Sequence, residues 1–394
     1  MKHLLSLFVL CLSALSAAAD EYTDPVTNVV YSYQPGSGTA EVVGGPDAKG
    51  DITILERFTA DGQDYVVDKV GGASFKQHKG ITGVSFPPTV KEIDSEAFRD
   101  CTSLTSVRLP EGLRLISLYA FSGCAISSVE LPKGLHAVCW MSFSYCNRLK
   151  SVRIPSAIEY IEEGAFYFCD SLETIVVDED NKLIDSRDGC NAIIVTATNE
   201  LKMGCQGTVI PPSVKRIGES AFKYCQTLKE IAIPESVDTI DTNAFFKCRN
   251  LSCVSLPKSL RTIAPYAFMN TGLQTVTIPP GVKEIWGWAF AGIPTLTSIT
   301  SLIEKPFDLE FPICDEAAYS SVTLYVPAGT KEKYMATAGW KDFKHIVEMD
   351  NTSVSDTISK GDAVPSPSYD FLGRPTDIAP RHGIYVRDGK KYVK

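Results

Sequence analysis

The sequence has no excess of basic residues and few of the residues on which enzymes depend. Its 394 residues include 38 Lys and Arg against 47 Asp and Glu, a net charge of −9, and five histidines. General nucleic-acid binding requires a basic footprint, so this composition disfavours it. Nucleophile-elbow, Walker A, HExxH and GxGxxG motifs are missing, and the histidines are scattered. We therefore expect no catalytic, cofactor-binding or metal site.

Long apolar runs are also missing after the first twenty residues, whereas a transmembrane helix needs about 18 consecutive apolar residues. The first segment, MKHLLSLFVLCLSALSAAAD, has Lys2, an apolar run and three alanines at 17–19. These features predict a secretory signal peptide cleaved before Asp20. The alternative, lipid attachment at Cys11, would place bulky Leu10 before the modified residue. We expect an exported chain, either secreted or held at the cell surface, without a membrane-spanning helix.

What the sequence does contain is a repeat of 22 or 23 residues. Phenylalanines, most of them preceded by alanine, recur at steps of 23, 23, 22, 23, 56, 23, 23 and 22 residues. The series is Phe75, Phe98, Phe121, Phe143, Phe166, Phe222, Phe245, Phe268 and Phe290. A second series of short apolar alternations ends in proline, as in VRLP and VRIP. A fixed period in the twenties indicates a solenoid.

Each repeat has the pattern of one solenoid coil. The segment VRLP at 107–110 alternates like a half-exposed strand, and Pro110 ends it because proline cannot donate to a strand ladder. A second extended piece, VKEI at 90–93, precedes a capping residue such as Asp94, which predicts a tight helical turn. One coil cannot bury its own apolar face, but stacked coils bury a continuous core. The phenylalanines are the predicted structural spine of that core.

The repeat resembles the BspA-like leucine-rich repeats (LRR_5 type), whose pattern is IxxxAFxxCxxLxxVxIPxxV. The resemblance covers roughly residues 73–300, with departures at Ser142, His78 and Ile293. It implies a β-rich solenoid: a right-handed coil of short parallel strands and short helical turns, capped at both ends. It also implies a bacterial surface protein that adheres to host matrix proteins, host cells or other bacteria.

The rest of the chain is organised around these repeats. Residues 20–72 contain an alternating hairpin pattern around Pro-Gly-Ser-Gly and predict an N-terminal β cap. The step of 56 residues predicts a hairpin-like insertion at about 178–210. A strand and a short helix within 301–349 predict the opposite cap, since solenoid ends need covering. Residues 350–368 are polar and aperiodic, which is typical of a linker.

The C-terminal segment resembles a different family. Residues 369–394 contain YDFLGR and GIYVRDGKK, similar to the last part of the C-terminal sorting domain of the type IX secretion route. Only about 26 residues match, whereas a complete domain is far longer. A small hairpin without any role as a signal is the alternative.

Twelve cysteines in an exported chain would ordinarily suggest disulfides. Six of them instead occupy the same repeat position, where a small apolar residue is needed in the core. We expect these six to be buried free thiols: Cys101, Cys124, Cys146, Cys169, Cys225 and Cys248. Cys190 and Cys205 lie in the insertion, where a disulfide and two free thiols are both open. No CxxC pair occurs, which disfavours structural zinc.

The residue after the first apolar position of each VKEI-type segment forms a candidate ligand-binding column. Five of its eight members are basic, namely Lys91, Arg114, Lys215, Arg261 and Lys283, and the others are His136, Glu159 and Asp238. A basic stripe on an acidic protein could bind acidic glycans or acidic protein segments. An ordinary solvated face is the simpler explanation.

Aromatic residues cluster in the repeats around the insertion, and Tyr167, Phe168 and Tyr224 are candidate ligand contacts. Aromatic side chains anchor protein interfaces and stack on sugars. The alternative is that several of them cover the apolar side of the insertion. The leading hypothesis is a monomeric, secreted or surface-bound protein that binds another protein. A glycan-binding module and a scaffold without its own ligand remain as alternatives.

Overall fold

The computed structural model of the chain describes residues 19–350 and four short strands between residues 368 and 393. The predicted signal peptide and most of the linker lie outside the described residues. The predicted leucine-rich repeat solenoid is confirmed, because successive repeats stack as coils whose short strands pair in parallel.

The N-terminal cap is a set of strands that joins the first repeats without interruption. Its strands are β1 Asp20–Thr23, β2 Val30–Tyr33, β3 Thr39–Gly44, β4 Gly50–Thr53, β5 Arg57–Ala60 and β6 Gln63–Val70. β2 and β3 pair antiparallel, as the Pro-Gly-Ser-Gly turn predicts. β6 pairs in parallel with Glu92–Ile93 of the first repeats, so one sheet runs from the cap into the solenoid.

The coils before the insertion alternate between longer strands on one face and two-residue strands on another. Their strands are β7 Ile81–Ser85, β8 Glu92–Ile93, β9 Ser106–Arg108, β10 Leu115–Ile116, β11 Ser128–Glu130, β12 Ala137–Val138, β13 Ser151–Ile154, β14 Tyr160–Ile161 and β15 Thr174–Val177. The insertion then contributes β16 Ile184–Asp185, a 3-10 turn at Arg187–Gly189, β17 Ala192–Val195 and β18 Glu200–Gly204. β17 and β18 form the hairpin that the sequence predicts.

The coils after the insertion repeat the same alternation. Their strands are β19 Arg216–Ile217, β20 Glu230–Ala232, β21 Thr239–Ile240, β22 Cys253–Ser255, β23 Thr262–Ile263, β24 Thr275–Ile278, β25 Glu284–Ile285 and β26 Ser298–Ser301. Parallel pairing runs from β19 through β21 and β23 to β25 on the face of the two-residue strands. On the other face, β20 pairs with β22 and β24 pairs with β26 in two separate sheets.

The C-terminal cap adds two further parallel strands and the only α-helices among the described residues. Its elements are α1 Glu316–Ser321, β27 Thr323–Val326, α2 Lys331–Ala336, a 3-10 turn at Trp340–Asp342 and β28 His345–Glu348. The sequence predicts the strand and α2 but not α1, whose cap Asp315 accepts a hydrogen bond from the Ala318 N–H. None of the described helices is long and apolar enough to cross a membrane.

The tail contains four short strands that pair antiparallel in the order β30-β29-β31-β32. They are β29 Ser368–Tyr369, β30 Pro375–Thr376, β31 Ile384–Arg387 and β32 Lys390–Val393. A role of this segment in sorting stays a prediction.

The turn segments that carry the Ala-Phe pairs are not the helical turns that the sequence predicts. In residues 94–101 the backbone N–H groups alternate: Ala97 bonds three residues back, whereas Phe98 donates to the next coil at 2.7 Å. Glu96 and Asp100 adopt positive φ angles of 60° and 59°. A helix uses its interior N–H groups internally, so this chain of turns is what allows the segment to join the ladder between coils.

The core consists of stacked phenylalanine rings beside a column of thiols. Neighbouring rings lie 5.0 to 5.6 Å apart and nearly parallel in two runs, Phe75 to Phe166 and Phe222 to Phe290. The six column cysteines are free thiols, but only five are buried as predicted, because Cys225 is half-buried at the coil that follows the insertion. Five of them donate to the phenylalanine carbonyl of the preceding coil at 2.9 to 3.2 Å. The cysteine therefore supplies a hydrogen bond as well as a small apolar volume.

The disulfide left open for the insertion is not formed, because Cys190 and Cys205 are both free thiols. They belong to different hydrophobic cores. The Cys190 thiol donates to the Ala192 carbonyl at 3.7 Å, and the Cys205 thiol donates to the Asn191 carbonyl at 3.3 Å. Each sulfur therefore has a carbonyl partner at the start of β17 in place of a disulfide bond.

Candidate binding cleft at the insertion

The insertion divides the solenoid into two halves with separate hydrophobic cores. The first core contains the spine to Phe166, and the second contains the spine from Phe222. Strand β17 lies between them: Ile193 packs into the first core and Ile194 into the second. Alternate side chains of a strand point to opposite faces. The hairpin therefore separates the two cores and packs against one of them on each face.

The series of backbone hydrogen bonds that joins the turn segments of successive coils is interrupted at this hairpin. Elsewhere the spine N–H donates to the next coil, as Phe143 does at 2.9 Å, but the N–H groups of Phe166 and Phe168 have no partner among the described residues. On the facing coil, the carbonyls of Glu219 and Lys223 likewise accept no backbone hydrogen bond in the described part of the chain.

Gly204, at the end of β18, replaces one of the missing ladder bonds. Its N–H donates to the Ala221 carbonyl at 2.9 Å. A Cβ on Gly204 would lie 2.1 Å from a ring carbon of Phe222, so only glycine fits here. The insertion therefore restores one bond of the ladder and leaves the groups on either side of it unpaired.

A cleft of about 260 Å³ lies at this break. Residues of both halves and of the hairpin line it, including the backbone that carries the unpaired N–H and carbonyl groups. Its charged lining residues are Glu163, Asp170, Glu200, Glu219, Lys202 and Lys223. Its aromatic lining residues are Phe166, Tyr167, Phe168 and Tyr224.

The structure brings together the three aromatic residues singled out from the sequence. Phe168 stacks on Tyr224 across the break, with ring centroids 4.2 Å apart, and on Tyr145 at 4.3 Å. Tyr167 meets Tyr224 edge-on at 5.3 Å. Tyr167, Phe168 and Tyr224 line the cleft together with Lys202, Met203 and Gly204 of β18. The two halves thus touch through surface rings although their core ring stacks do not meet.

Lys223 and Glu163 form an ion pair inside the cleft, at 3.2 Å. The Lys223 ammonium also lies 5.5 Å from the centre of the Tyr167 ring and 5.8 Å from that of Tyr224. The Tyr167 hydroxyl donates to Glu163 at 2.6 Å. Burial raises the pKa of Glu163, but the hydrogen bonds from Tyr167, Ser220 and Lys223 outweigh it, so the net pKa is lowered. Burial also raises the pKa of Tyr167.

Asp170 also lines the cleft, but unlike Glu163 it has no ion pair among the described residues. Burial raises the pKa of its carboxyl group. Its Oδ1 atom is buried and has no hydrogen-bond partner among the described residues. Sequence reasoning did not identify Asp170, because its environment depends on the break and not on the repeat. Among the described residues, no group of three or more His, Cys, Asp or Glu side chains could hold a metal ion.

The basic column is exposed, but the insertion divides it. Lys91 and Arg114 lie before the break, and Lys215, Arg261 and Lys283 lie after it. The two arginines contact the neighbouring coil: Arg114 donates to the Gly134 carbonyl at 2.7 Å, and Arg261 to the Gly281 carbonyl at 2.8 Å. Lys91 donates to the Pro88 carbonyl at 3.2 Å. Lys91, Arg114 and Arg261 therefore form hydrogen bonds to backbone carbonyls of the solenoid. The insertion separates the predicted basic stripe into two parts.

A second aromatic surface, which sequence reasoning missed, lies near the C-terminal cap. Tyr266 and Trp288 stack at 5.7 Å with an angle of 3° between their rings. Trp286, Trp288 and Phe311 are 38%, 41% and 47% exposed. In the sequence, only the segment WGW at 286–288 indicated this surface. Phe311 is distant in sequence and lies next to Gly287 only in the folded chain.

The comparisons with known proteins agree with this architecture. The model of the family "BspA type Leucine rich repeat region" matches residues 68–188 and 202–305 in six copies, and the gap between the two matches falls on the hairpin. No curated protein sequence matches the chain.

Solved structures share the fold at low sequence identity. The pneumococcal vaccine antigen PcpA is 18% identical, with 85% of this chain and 100% of that chain covered and a TM-score of 0.59. A leucine-rich repeat protein from Bacteroides ovatus is 22% identical, with coverages of 83% and 77% and a TM-score of 0.55. One from Eubacterium ventriosum is 17% identical, with coverages of 84% and 86% and a TM-score of 0.51. Since the family model covers more than half of the chain, this protein belongs to the BspA-type leucine-rich repeat family.

Proposed function

We propose that this protein is exported and displayed outside the cell, where its solenoid binds proteins and mediates adhesion to host matrix proteins, host cells or other bacteria. Solenoids present extended surfaces that grip large partners, and the repeat family supports a protein-interaction module. The predicted signal peptide supports export. The similarity to a pneumococcal vaccine antigen concerns the fold alone.

The observation that carries the proposal is the column of surface rings on the turn face. Tyr145, Phe168 and Tyr224 stack in sequence, and Phe246 follows edge-on at 5.8 Å. Tyr145 is 46% exposed. The Lys247 ammonium lies 5.4 Å from the centre of the Tyr224 ring. Rigid aromatic rings with adjacent cations are the side chains enriched at the energetic centres of protein interfaces.

The test is binding of the full chain to a panel of purified matrix proteins and to cultured host cells. Tyr145→Ala removes an exposed ring without opening the core, and we expect it to weaken binding about tenfold, as loss of an interface anchor does. Tyr325→Ala is the matched control, because Tyr325 is an exposed tyrosine on β27 of the cap. Equal binding by both variants and the parent would reject the ring column as the adhesive surface.

Display outside the cell is tested separately, by surface labelling and by assay of the medium. The native chain is compared with one lacking residues 369–394. We expect the native chain to be accessible and the shortened chain to be retained, since the tail resembles a sorting signal. Retention of both chains inside the envelope would remove access to host ligands and contradict the adhesion proposal.

A glycan ligand is the second candidate, supported by the platform of Tyr266, Trp286, Trp288 and Phe311. Tyr266 and Trp288 stack in parallel, and Trp286, Trp288 and Phe311 are partly exposed, so aromatic surface is available to contact flat apolar faces such as those of sugars. Trp288→Ala should abolish retardation in polysaccharide-containing gels without changing the melting temperature. The cluster of Tyr167, Phe168 and Tyr224 is the alternative sugar site, and their alanine variants belong in the same gels.

A further inference from the structure

The cleft at the break contains polar groups that the solenoid leaves unpaired. The Asp170 Oδ1 atom is buried and unpartnered. Ser220 is 4% exposed and lines the same cleft, where its hydroxyl helps to lower the pKa of Glu163. Within the described residues, the backbone N–H groups of Phe166 and Phe168, on the same edge of the same coil, also lack a partner. Buried polar groups in native proteins are nearly always satisfied, so this concentration indicates a place for a ligand.

The charge of the cleft indicates which kind of ligand it takes. Glu163 is already neutralised by Lys223. Asp170, Glu200 and Glu219 remain, and none of them forms an ion pair in the described part of the chain. Lys202 is the single remaining ammonium in the lining. A cationic group would therefore be attracted, whereas a second carboxylate would be repelled.

The aromatic walls are suited to the same ligand. The face of an aromatic ring attracts a cation within about 6 Å of its centre. Tyr167 and Tyr224 already accommodate Lys223 in this way. A volume of about 260 Å³ is below the range of about 300–1,000 Å³ that is typical of sites for drug-sized molecules. The cleft can therefore admit one long side chain but not a folded element.

We propose that the cleft binds the basic side chain of an arginine or lysine in an extended segment of a protein partner. Asp170 is its counter-ion, and the N–H groups of Phe166 and Phe168 donate to backbone carbonyls of the same segment. One basic residue of an extended peptide supplies both kinds of group, the cationic head and the carbonyl oxygen. This inference rests on the proposed protein-binding function and specifies the element that is recognised.

The test uses the isotope-labelled full chain and three short capped peptides, Gly-Arg-Gly, Gly-citrulline-Gly and Gly-Glu-Gly, followed by nuclear magnetic resonance. Citrulline has the shape of arginine without its charge. We expect the arginine peptide to shift the amide resonances of Phe166 and Phe168 and to bind about tenfold more tightly than the citrulline peptide, since hydrogen bonds between charged groups are the stronger ones. We expect no binding of the glutamate peptide. Equal binding of arginine and citrulline, or preference for glutamate, would overturn the proposal.

Asp170→Asn separates recognition from stability. We expect about tenfold weaker binding of the arginine peptide, because a charge-assisted contact is lost, with an equal or higher melting temperature. We expect no fall in the melting temperature, because the substitution removes a charge whose Oδ1 atom is buried without a hydrogen-bond partner among the described residues. Glu130→Gln, an exposed carboxylate on β11, is the matched control and should bind normally. Unchanged affinity in Asp170→Asn contradicts the assignment of Asp170.

If Asp170→Asn disturbs folding, Lys202→Gln tests the same inference with Asp170 in place. Removing the opposing ammonium should strengthen binding of the arginine peptide several-fold at low salt. An unchanged or weaker affinity would overturn the proposal. Adhesion by the parent chain without binding of the arginine peptide rejects only this inference. Binding of the peptide without adhesion rejects only the adhesive function.

Discussion

A regular junction between coils and the junction at the insertion differ in how completely they use their own polar groups. Between the coils of Phe98 and Phe121, the rings stack at 5.3 Å and the Cys124 thiol donates to the Phe98 carbonyl at 3.1 Å. The Phe98 N–H also donates to the next coil. At the insertion, the rings of Phe166 and Phe222 lie in separate stacks. A regular junction uses its backbone N–H and carbonyl groups in hydrogen bonds between coils. At the break, by contrast, some of these groups have no partner among the described residues and are available to a ligand.

The largest expected effect is loss of a spine ring within a regular stack. Phe245 packs between two rings at 5.0 and 5.2 Å. Phe245→Ala should lower the free energy of unfolding by about 3–5 kcal/mol, through lost burial and the cavity left behind. Phe166→Ala should cost less, because Phe166 stacks on one ring only and lines the cleft. Urea unfolding measures both, and equal losses would show that the break is packed as tightly as a regular junction.

A smaller effect is expected from adding one methyl group at the break. Gly204→Ala would place its Cβ 2.1 Å from the Phe222 ring and should destabilise the chain by about 1–3 kcal/mol, the usual cost of overpacking. Gly72→Ala is the control, because its nearest neighbour would be 3.4 Å away. Thermal unfolding of the two variants compares them. If Gly204→Ala is as stable as Gly72→Ala, the hairpin does not pack against the second core as described.

The buried thiols of the column should make the free energy of unfolding decrease as the pH rises above 9.0. Burial raises the pKa of Cys146 from 9.0 to about 12. The unfolded chain therefore loses this proton first, so the stabilisation is fully present below pH 9.0 and is lost as the pH rises towards about 12. Urea midpoints across this range should fall less in Cys146→Ala than in the parent. An identical pH dependence in the two chains would contradict the buried, neutral thiol.

The smallest effects are expected from the arginines of the basic column. Arg114 and Arg261 make the same contact, one in each half of the solenoid. Arg114→Gln and Arg261→Gln should each cost about 0.5 kcal/mol, the lower end for a hydrogen bond, as measured by urea unfolding. Similar losses would support identical coil geometry on both sides of the break. A clear difference between the two variants would show that the halves are not equivalent.

Much of the fold was predictable because the same pattern of apolar and turn residues recurs in every repeat. The spine series and the step of 56 residues located the coils and the hairpin, and the thiol column followed from one shared position. The helical turns were predicted wrongly, because a capping residue such as Asp94 favours a helix and a chain of turns equally at the level of sequence. Positive φ at residues such as Glu96 becomes favourable only when the next coil accepts the freed N–H groups.

The candidate site was predictable only in part. Tyr167, Phe168 and Tyr224 were found because aromatic residues are visible as a cluster, but Asp170 and Ser220 carry no motif. Both lie at the break in the ladder, where the Asp170 Oδ1 atom has no hydrogen-bond partner among the described residues. A missing partner cannot be seen in a single sequence. The same limit applies to Cys190 and Cys205, which the hairpin assigns to different cores.

The sequence by itself determined the solenoid, its period and its spine, because each coil must bury the same apolar positions against its neighbours. Only the tertiary structure decided which polar groups the interruption at the insertion leaves unpaired among the described residues. The hairpin of the insertion restores a single ladder bond, through Gly204, where a regular coil would pair more of the facing groups. The unpaired backbone groups, the uncompensated carboxylate of Asp170 and the rings that meet across the gap all result from that one mismatch.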